Sequence, residues 1–274
     1  MAINDISLTA SARANLLSLQ QTSSLLDRTQ NRISTGRKVN SALDNATAYF
    51  SSRGFLNRAD DLNRIKEGLS TSLQTLKQAS NAIESITKIV QQAQGLVISA
   101  QQSNDATTRA GLAAQFNSLL DQLNGVVADA TFNGTNLLVS GQSLAVNFNE
   151  NNAAELTING RPLDASATGL NIGVASGAWV GNSQIQASAG DLTAALVTLR
   201  TAAAEFGTNA TIIQTRQDFT DELINVLSVA SDNLILADTN EEGANMQALQ
   251  ARLQLGVVSL GISGEQAQAI LRLF

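Results

Sequence analysis

The stretch LNRIKEGLSTSLQTLKQASNAIESITKIVQQAQGLV, residues 62–97, decides the fold. Steps of alternately three and four residues from Leu62 land on Ile65, Leu69, Ser72, Leu76, Ala79, Ile83, Ile86, Val90, Ala93 and Val97. Ser72 is the one polar position among them, and the two alanines are borderline. A period of about 3.5 residues sustained that far predicts a long, coiled-coil-like helix with a continuous apolar stripe. The chain has a single proline, so helices of this length meet no obligatory break.

Downstream, Ser103-Asn-Asp-Ala-Thr-Thr reads as a helix break with capping side chains. A shorter stripe follows at Leu112, Phe116, Leu119, Leu123 and Val126. From about Gly141 to Gly190 the helical period is lost, and Gly, Asn, Ser and Ala crowd in. Alternation at Leu144–Phe148 and Glu155–Ile158, the second followed by Asn159-Gly160, predicts a hairpin in a small β-rich, exposed insert. Helical spacing returns at Leu192, Leu196, Leu199, Ala203, Phe206, Ala210 and Ile213, then weakens through Ile224, Leu227 and Leu234. After an interruption at Asp238-Thr-Asn240 a last stripe runs through Met246, Leu249, Leu253, Gly256, Leu260, Ser263, Ala267, Ile270 and Phe274. Upstream, Leu19, Leu26 and Ile33 lie seven apart, with Leu8, Leu16 and Leu25 nearby. The fold class is mainly α: helix, long helices, β insert, long helix, helix, symmetric about the middle.

Composition narrows the chemistry. The chain is 43% hydrophobic but only 4% aromatic, so its core must be built from Leu, Ile, Val and Ala, which suits closely packed helices. With no Cys there is no disulfide framework and no thiolate metal site. With no His the commonest general base and metal ligand are missing. No catalytic residue, metal or cofactor is expected. Asp60-Asp61 and Glu241-Glu242 are adjacent carboxylates that point different ways on a helix, and Gly36-Arg37-Lys38 lacks the glycine spacing of a phosphate loop.

The net charge of −6, with no basic aromatic-interleaved patch, argues against nucleic acid as a partner. Charge is unevenly placed: residues 1–90 hold 11 basic against 7 acidic residues, and the remainder holds 6 against 16. Opposite signs favour association of the two ends, although each exposed pair contributes only about 0–1 kcal/mol. Met1-Ala-Ile-Asn-Asp-Ile-Ser has neither a basic nor an apolar leader region, so no cleaved signal is expected. No run of about 18 apolar residues exists to span a membrane.

The segment Ile270-Leu-Arg-Leu-Phe274 ends in an apolar face. Burying one such side chain stabilises by about 1.5–3 kcal/mol, against about 1–2 kcal/mol of backbone entropy per ordered residue. A two-helix hairpin with one narrow stripe roughly breaks even, and becomes ordered when neighbouring copies cover it. Leu16, Leu19, Leu26, Ile33, Met246, Leu249, Leu253, Leu260, Ile270 and Phe274 are the candidate polymerisation residues. Periodicity alone equally allows both ends to pack on their own bundle in a stable monomer.

Residues Ile33-Ser-Thr-Gly-Arg-Lys-Val-Asn-Ser-Ala-Leu-Asp-Asn-Ala46 resemble the N-terminal signature of bacterial flagellins. Thr131-Phe-Asn-Gly-Thr-Asn-Leu-Leu138 is similar to the family's turn after the second core helix, and Ala244–Gly256 to its C-terminal segment. The resemblance covers about residues 1–140 and 190–274. Two departures are mild: Asp44-Asn45 stands for Asp-Asp, and Ile33-Ser34-Thr35-Gly36 for Leu-Ser-Ser-Gly.

The resemblance implies an inner terminal domain made by helices 1–40 and 238–274, an outer helical domain from 41–140 and 191–237, and an insert at 141–190. Gly36, Arg37, Asn40, Asp44 and Asn45 would form the inter-domain linker, with Gly36 ending a helix and the polar residues capping the next. It further implies a homopolymeric extracellular filament, with a filament cap protein, hook-associated proteins, an export chaperone and the flagellar type III export apparatus as partners. A hook–filament junction protein with similar termini is the nearest alternative, and a cytoplasmic coiled-coil adaptor is another.

Flagellins recognised by the vertebrate receptor carry an Arg and a Glu on neighbouring core helices. The matching region here is Gln91, Gln92 and Leu96, with Gln115 opposite, so those charges are lost and weak receptor activation is expected. The sequons at Asn45, Asn133 and Asn209 read as chance matches.

Overall fold

The computed structural model describes residues 10–151 and 153–271. Helix α1 spans Ala10–Thr35, α2 Ala46–Gln102 and α3 Ala106–Asp129. After strands β1 (Ser143–Asn147) and β2 (Glu155–Asn159) come a short turn at Ser176–Trp179, α4 (Asn182–Ile235) and α5 (Thr239–Leu271). Contacts divide the described residues into two compact units, one formed by those up to Arg58 together with those from Val226 onward, the other by Ala59–Asn225.

In the Ala59–Asn225 unit the period read from residues 62–97 is the buried face of α2. Leu62, Leu69, Leu76, Ile83, Ile86, Val90, Ala93 and Val97 are buried, and Ile65 half-buried. Ser72 is buried too, its hydroxyl donating to the Gly68 carbonyl one turn back. Helix α3 starts where the break was expected: Asp105 has extended backbone and its carboxylate accepts from Thr108 N at 2.7 Å. Its buried face carries Arg109, Ala113, Phe116, Leu120, Leu123 and Val127, while Leu112, Leu119 and Val126 are half-buried. On α4 the buried position is Ala202 rather than Ala203, one residue from the expected stripe.

The stretch 141–190 differs most from expectation. Alternation located the hairpin well: Leu144 pairs Ile158 and Val146 pairs Leu156 in an antiparallel two-stranded sheet. The Asn159-Gly160 pair is not its turn. Gly160 follows β2, donates its N–H to Gln142 O at 2.7 Å, and lies where a Cβ would meet Val139 O at 2.6 Å. Close backbone approach, not turn geometry, demands the glycine.

Beyond these two strands the stretch is irregular rather than β-rich, and α4 already begins at Asn182. Nor is it exposed throughout: Val146, Ile158, Leu163, Leu170, Ile172 and Trp179 belong to the same hydrophobic cluster as α2, α3 and α4. The fully buried Trp179 packs at 5.0 Å from Phe116 and donates its Nε1–H to Ser188 Oγ. Gly177, Ala178 and Trp179 all have positive φ, strained for the two non-glycines. Burial of the indole offsets that strain.

Two polar side chains fasten this unit. Arg109, 8% exposed, donates from Nε to Ala100 O and Ser103 O, and from Nη1 and Nη2 to Val180 O and Asn182 Oδ1. It thereby joins the end of α2 and the start of α4 to the first turn of α3. Asn136 donates to Val127 O at the end of α3 and accepts from Leu138 N. Between them Asn133 and Gly134, both with positive φ, form a two-residue turn closed by paired hydrogen bonds between Phe132 and Thr135.

Candidate functional site

Three features carry the candidate function: the α1–α5 pair, the segment that ends α1, and a groove on α2 and α3. The α1–α5 pair is antiparallel. Asn15 Nδ2 donates to Ser259 Oγ, Leu19 lies against Gly256, and Arg32 Nη1 donates to Glu242 Oε1 at 2.8 Å. Each residue thus faces one about as far from the other end of the 274-residue chain. A Cβ on Gly256 would come within 2.5 Å of Leu19 Cδ1, so the glycine marks a close approach of the helices. Glu242 is buried, and Asp238 Oδ1 caps α5 by accepting from Asn240 N and Glu241 N.

The candidate polymerisation residues fall on this seam. Leu16, Leu19, Leu26 and Ile33 of α1, and Met246, Leu249, Leu253 and Leu260 of α5, are all half-buried in the single chain. Phe274 and the Ile270 side chain lie outside the described residues. The outward apolar surface belongs to residues the seam spacing passed over. On α5 a second stripe of Ala244, Ala248, Ala251, Leu255, Val258 and Ile262 repeats the three-four step, every member exposed. It is shifted by two residues, which at about 3.6 residues per turn puts it on the side away from α1. Leu255, Val258 and Ile262 are 70%, 60% and 52% exposed, and α1 adds Leu17 at 58%. A helix apolar on two opposite faces, with a partner on only one, has a face left to cover.

The segment after α1 lies within the same unit. Gly36, with φ of 68°, releases the chain from α1. Arg37 then pairs with Leu236 as an isolated antiparallel bridge, flanked by Lys38 N to Ile235 O and Ala237 N to Gly36 O. Asn40 N and Ser41 N both donate to Asp44 Oδ2, and Asn45 Oδ1 caps α2 by accepting from Ala48 N. These main-chain donors, Ser41 first and Asn40 next, hold the Asp44 carboxyl below its usual value. Asn45 thus caps α2, Asp44 braces the turn before it instead of the helix, and Arg37 pairs through its main chain. In the same unit Ser52 and Ser231, both buried, share a hydrogen bond of 2.8 Å, a tie between α2 and α4 that periodicity did not flag.

Gln92, Leu96 and Gln115 line one shallow groove of about 380 Å³ with Ser118, Leu119 and Gln122, and the exposed Gln91 adjoins Gln92 in sequence. Among the described residues no helix is long and apolar enough to cross a membrane.

A family model for the bacterial flagellin N-terminal helical region matches residues 6–143. Over the whole of both chains the protein is 30% identical to flagellin FljO of Caulobacter vibrioides. It is 27% identical to a flagellin of Brucella melitensis, covering 97% of each. The crystal structure of Bacillus cereus flagellin superposes with a TM-score of 0.49 at 16% identity, over 56% of this chain and 88% of that one. Matching helical region and full-length relatives agree: the chain belongs to the bacterial flagellin family.

Proposed function

We propose that this chain is a structural subunit of the bacterial flagellar filament that polymerises through the α1–α5 pair, with the second apolar face of α5 covered by neighbouring copies. The observation that carries the reading is that exposed stripe: Leu255, Val258 and Ile262 stand open on the face of α5 opposite the seam that α1 occupies. Each stabilises by about 1.5–3 kcal/mol when fully buried, so repetition along a polymer outweighs what one hairpin gains alone. The seam residues support assembly indirectly, by holding α1 against α5 so that the outer face is presented.

In this reading α1 and α5 make the inner terminal domain and the remaining helices the outer one. The likeness to flagellins supports extending the reading to export through the flagellar type III apparatus, a chaperone on the C-terminal segment, growth under a cap protein and contact with hook-associated proteins. The role is structural, and the assembled protein lies outside the cell.

The test is seeded growth. Purified protein is added to filament fragments and scored by electron microscopy and light scattering. Leu255→Asp with Val258→Asp should abolish elongation while leaving monomer helix content unchanged by circular dichroism. Elongation of that variant at the parental rate would reject the outward face of α5 as an assembly surface. Unlimited growth also separates a filament subunit from a junction protein, which stops after a few layers.

A further inference from the structure

The chain has no cysteine and two methionines, Met1 and Met246. Met246 sits on the seam side of α5, one turn beyond Glu242, whose buried carboxylate holds Arg32. The helix register sets it opposite the turn of α1 that carries Arg28 and the buried Thr29. Its side chain is half-buried, so it adds apolar area to the seam yet stays within reach of small solutes. The other α5 seam residues, Leu249, Leu253, Gly256, Leu260 and Ser263, have nothing comparably oxidisable.

We propose that Met246 is a peroxide-sensitive modification site whose oxidation weakens assembly; this rests on the reading that the α1–α5 pair carries polymerisation. The thioether sulfur attacks one oxygen of hydrogen peroxide and the O–O bond breaks. That oxygen stays on sulfur as the sulfoxide, and the other leaves as water with both protons. Sulfur loses two electrons and the peroxide gains them, so no further reactant is needed. The product replaces a flexible apolar side chain with a strongly polar one. It does so at a seam that is only half-buried in one subunit, so the helix pair loosens before neighbours can cover it. Sulfoxide reduction reverses the change.

The experiment compares the full chain with Met246→Leu, a substitution close in volume. Both are exposed to hydrogen peroxide, mapped by peptide mass spectrometry and assayed for the critical concentration of seeded growth. The parent should gain one oxygen at Met246 and show at least a threefold higher critical concentration, restored by methionine sulfoxide reductase. The critical concentration of Met246→Leu, whatever its untreated value, should not change on treatment. An unmodified Met246, an unchanged critical concentration in the oxidised parent, or equal loss by the leucine variant overturns the proposal. Failure of the untreated parent to extend seeds would instead reject the assembly reading beneath it.

Discussion

Replacing Arg109 with Met should destabilise the Ala59–Asn225 unit by about 3–5 kcal/mol, and the structure shows where the loss arises. The guanidinium makes two short bonds, 2.7 Å to Ser103 O and 2.7 Å to Asn182 Oδ1, and two longer ones, 3.2 Å to Ala100 O and 3.2 Å to Val180 O. Hydrogen bonds from a charged donor contribute about 1.5–3 kcal/mol each when well formed. Ser103 is half-buried and Asn182 exposed, so both acceptors regain water after the substitution and return part of that sum. Ala100 is fully buried, and an orphaned carbonyl there costs about 1–3 kcal/mol. Methionine keeps much of the stem volume, so the loss reports the donors rather than a cavity. Arg109→Lys keeps the charge without the planar fork and should cost roughly half as much. Urea unfolding followed by Trp179 fluorescence is the assay, since that is the one tryptophan and it is buried in this unit. A shift below about 1 kcal/mol for Arg109→Met would mean that water serves these carbonyls equally well and that Arg109 is no clamp.

Glycine substitutions separate backbone from side-chain crowding. Gly160→Ala puts its Cβ against two main-chain oxygens, Val139 O and Gln142 O, and should cost about 1–3 kcal/mol in thermal unfolding. Gly256→Ala meets only the tip of Leu19, which can turn aside, and the better helix propensity of alanine offsets about 1 kcal/mol; equal losses at the two sites would contradict this contrast. For Asp44 the main-chain donors Ser41 and Asn40 hold the folded carboxyl below the ordinary carboxylate range. Its contribution is therefore present above the unfolded value of about 3.9 and lost as pH falls through the lower folded value. Carbon-detected NMR should place the Asp44 midpoint below that of a free carboxylate, and a midpoint at or above it would oppose the turn geometry. In the groove of Gln92 and Gln115, Gln92→Arg with Gln115→Glu should raise stimulation of receptor-bearing reporter cells above that of the parent. Strong stimulation by the parent, abolished by Gln92→Ala, would contradict the expected weakness.

The long helices were legible because their signal is local and repeated. From Leu62 to Val97 each three- or four-residue step adds another apolar residue to one face, so a chance break such as Ser72 does not erase the pattern. The helix ends at Asp105 and Asn45 were readable for a related reason: a short polar side chain before a helical run has one strong local use. Trp179 was not legible. Its position depends on three successive residues of positive φ, two of them non-glycine, and no local preference announces such a turn. Arg109 was equally hidden, because a cation on a helix normally reads as solvated, and its four acceptors come from segments up to 73 residues away.

The α1–α5 pair shows a different limit of periodicity. Counting from Met246 finds a stripe, and counting from Ala244 finds another on the far side of the same helix, weaker to the eye because its first half is alanine. Nothing in the spacing says which stripe the chain covers for itself. Half-burial of Met246, Leu249 and Leu253, against 70% exposure of Leu255, decides that point. In the single chain Leu16, Leu19, Met246, Leu249 and Leu253 lie along the hairpin seam, and Leu255, Val258 and Ile262 face out. A subunit built this way needs both stripes in the right order. If the outer stripe were the stronger, α5 would pair with copies of itself before α1 could dock. The alanines at 244, 248 and 251 keep the outer face weak over its first half. Ala248→Leu with Ala251→Leu should therefore promote association of unseeded monomers, seen by light scattering, and a variant that stays monomeric would count against that ordering.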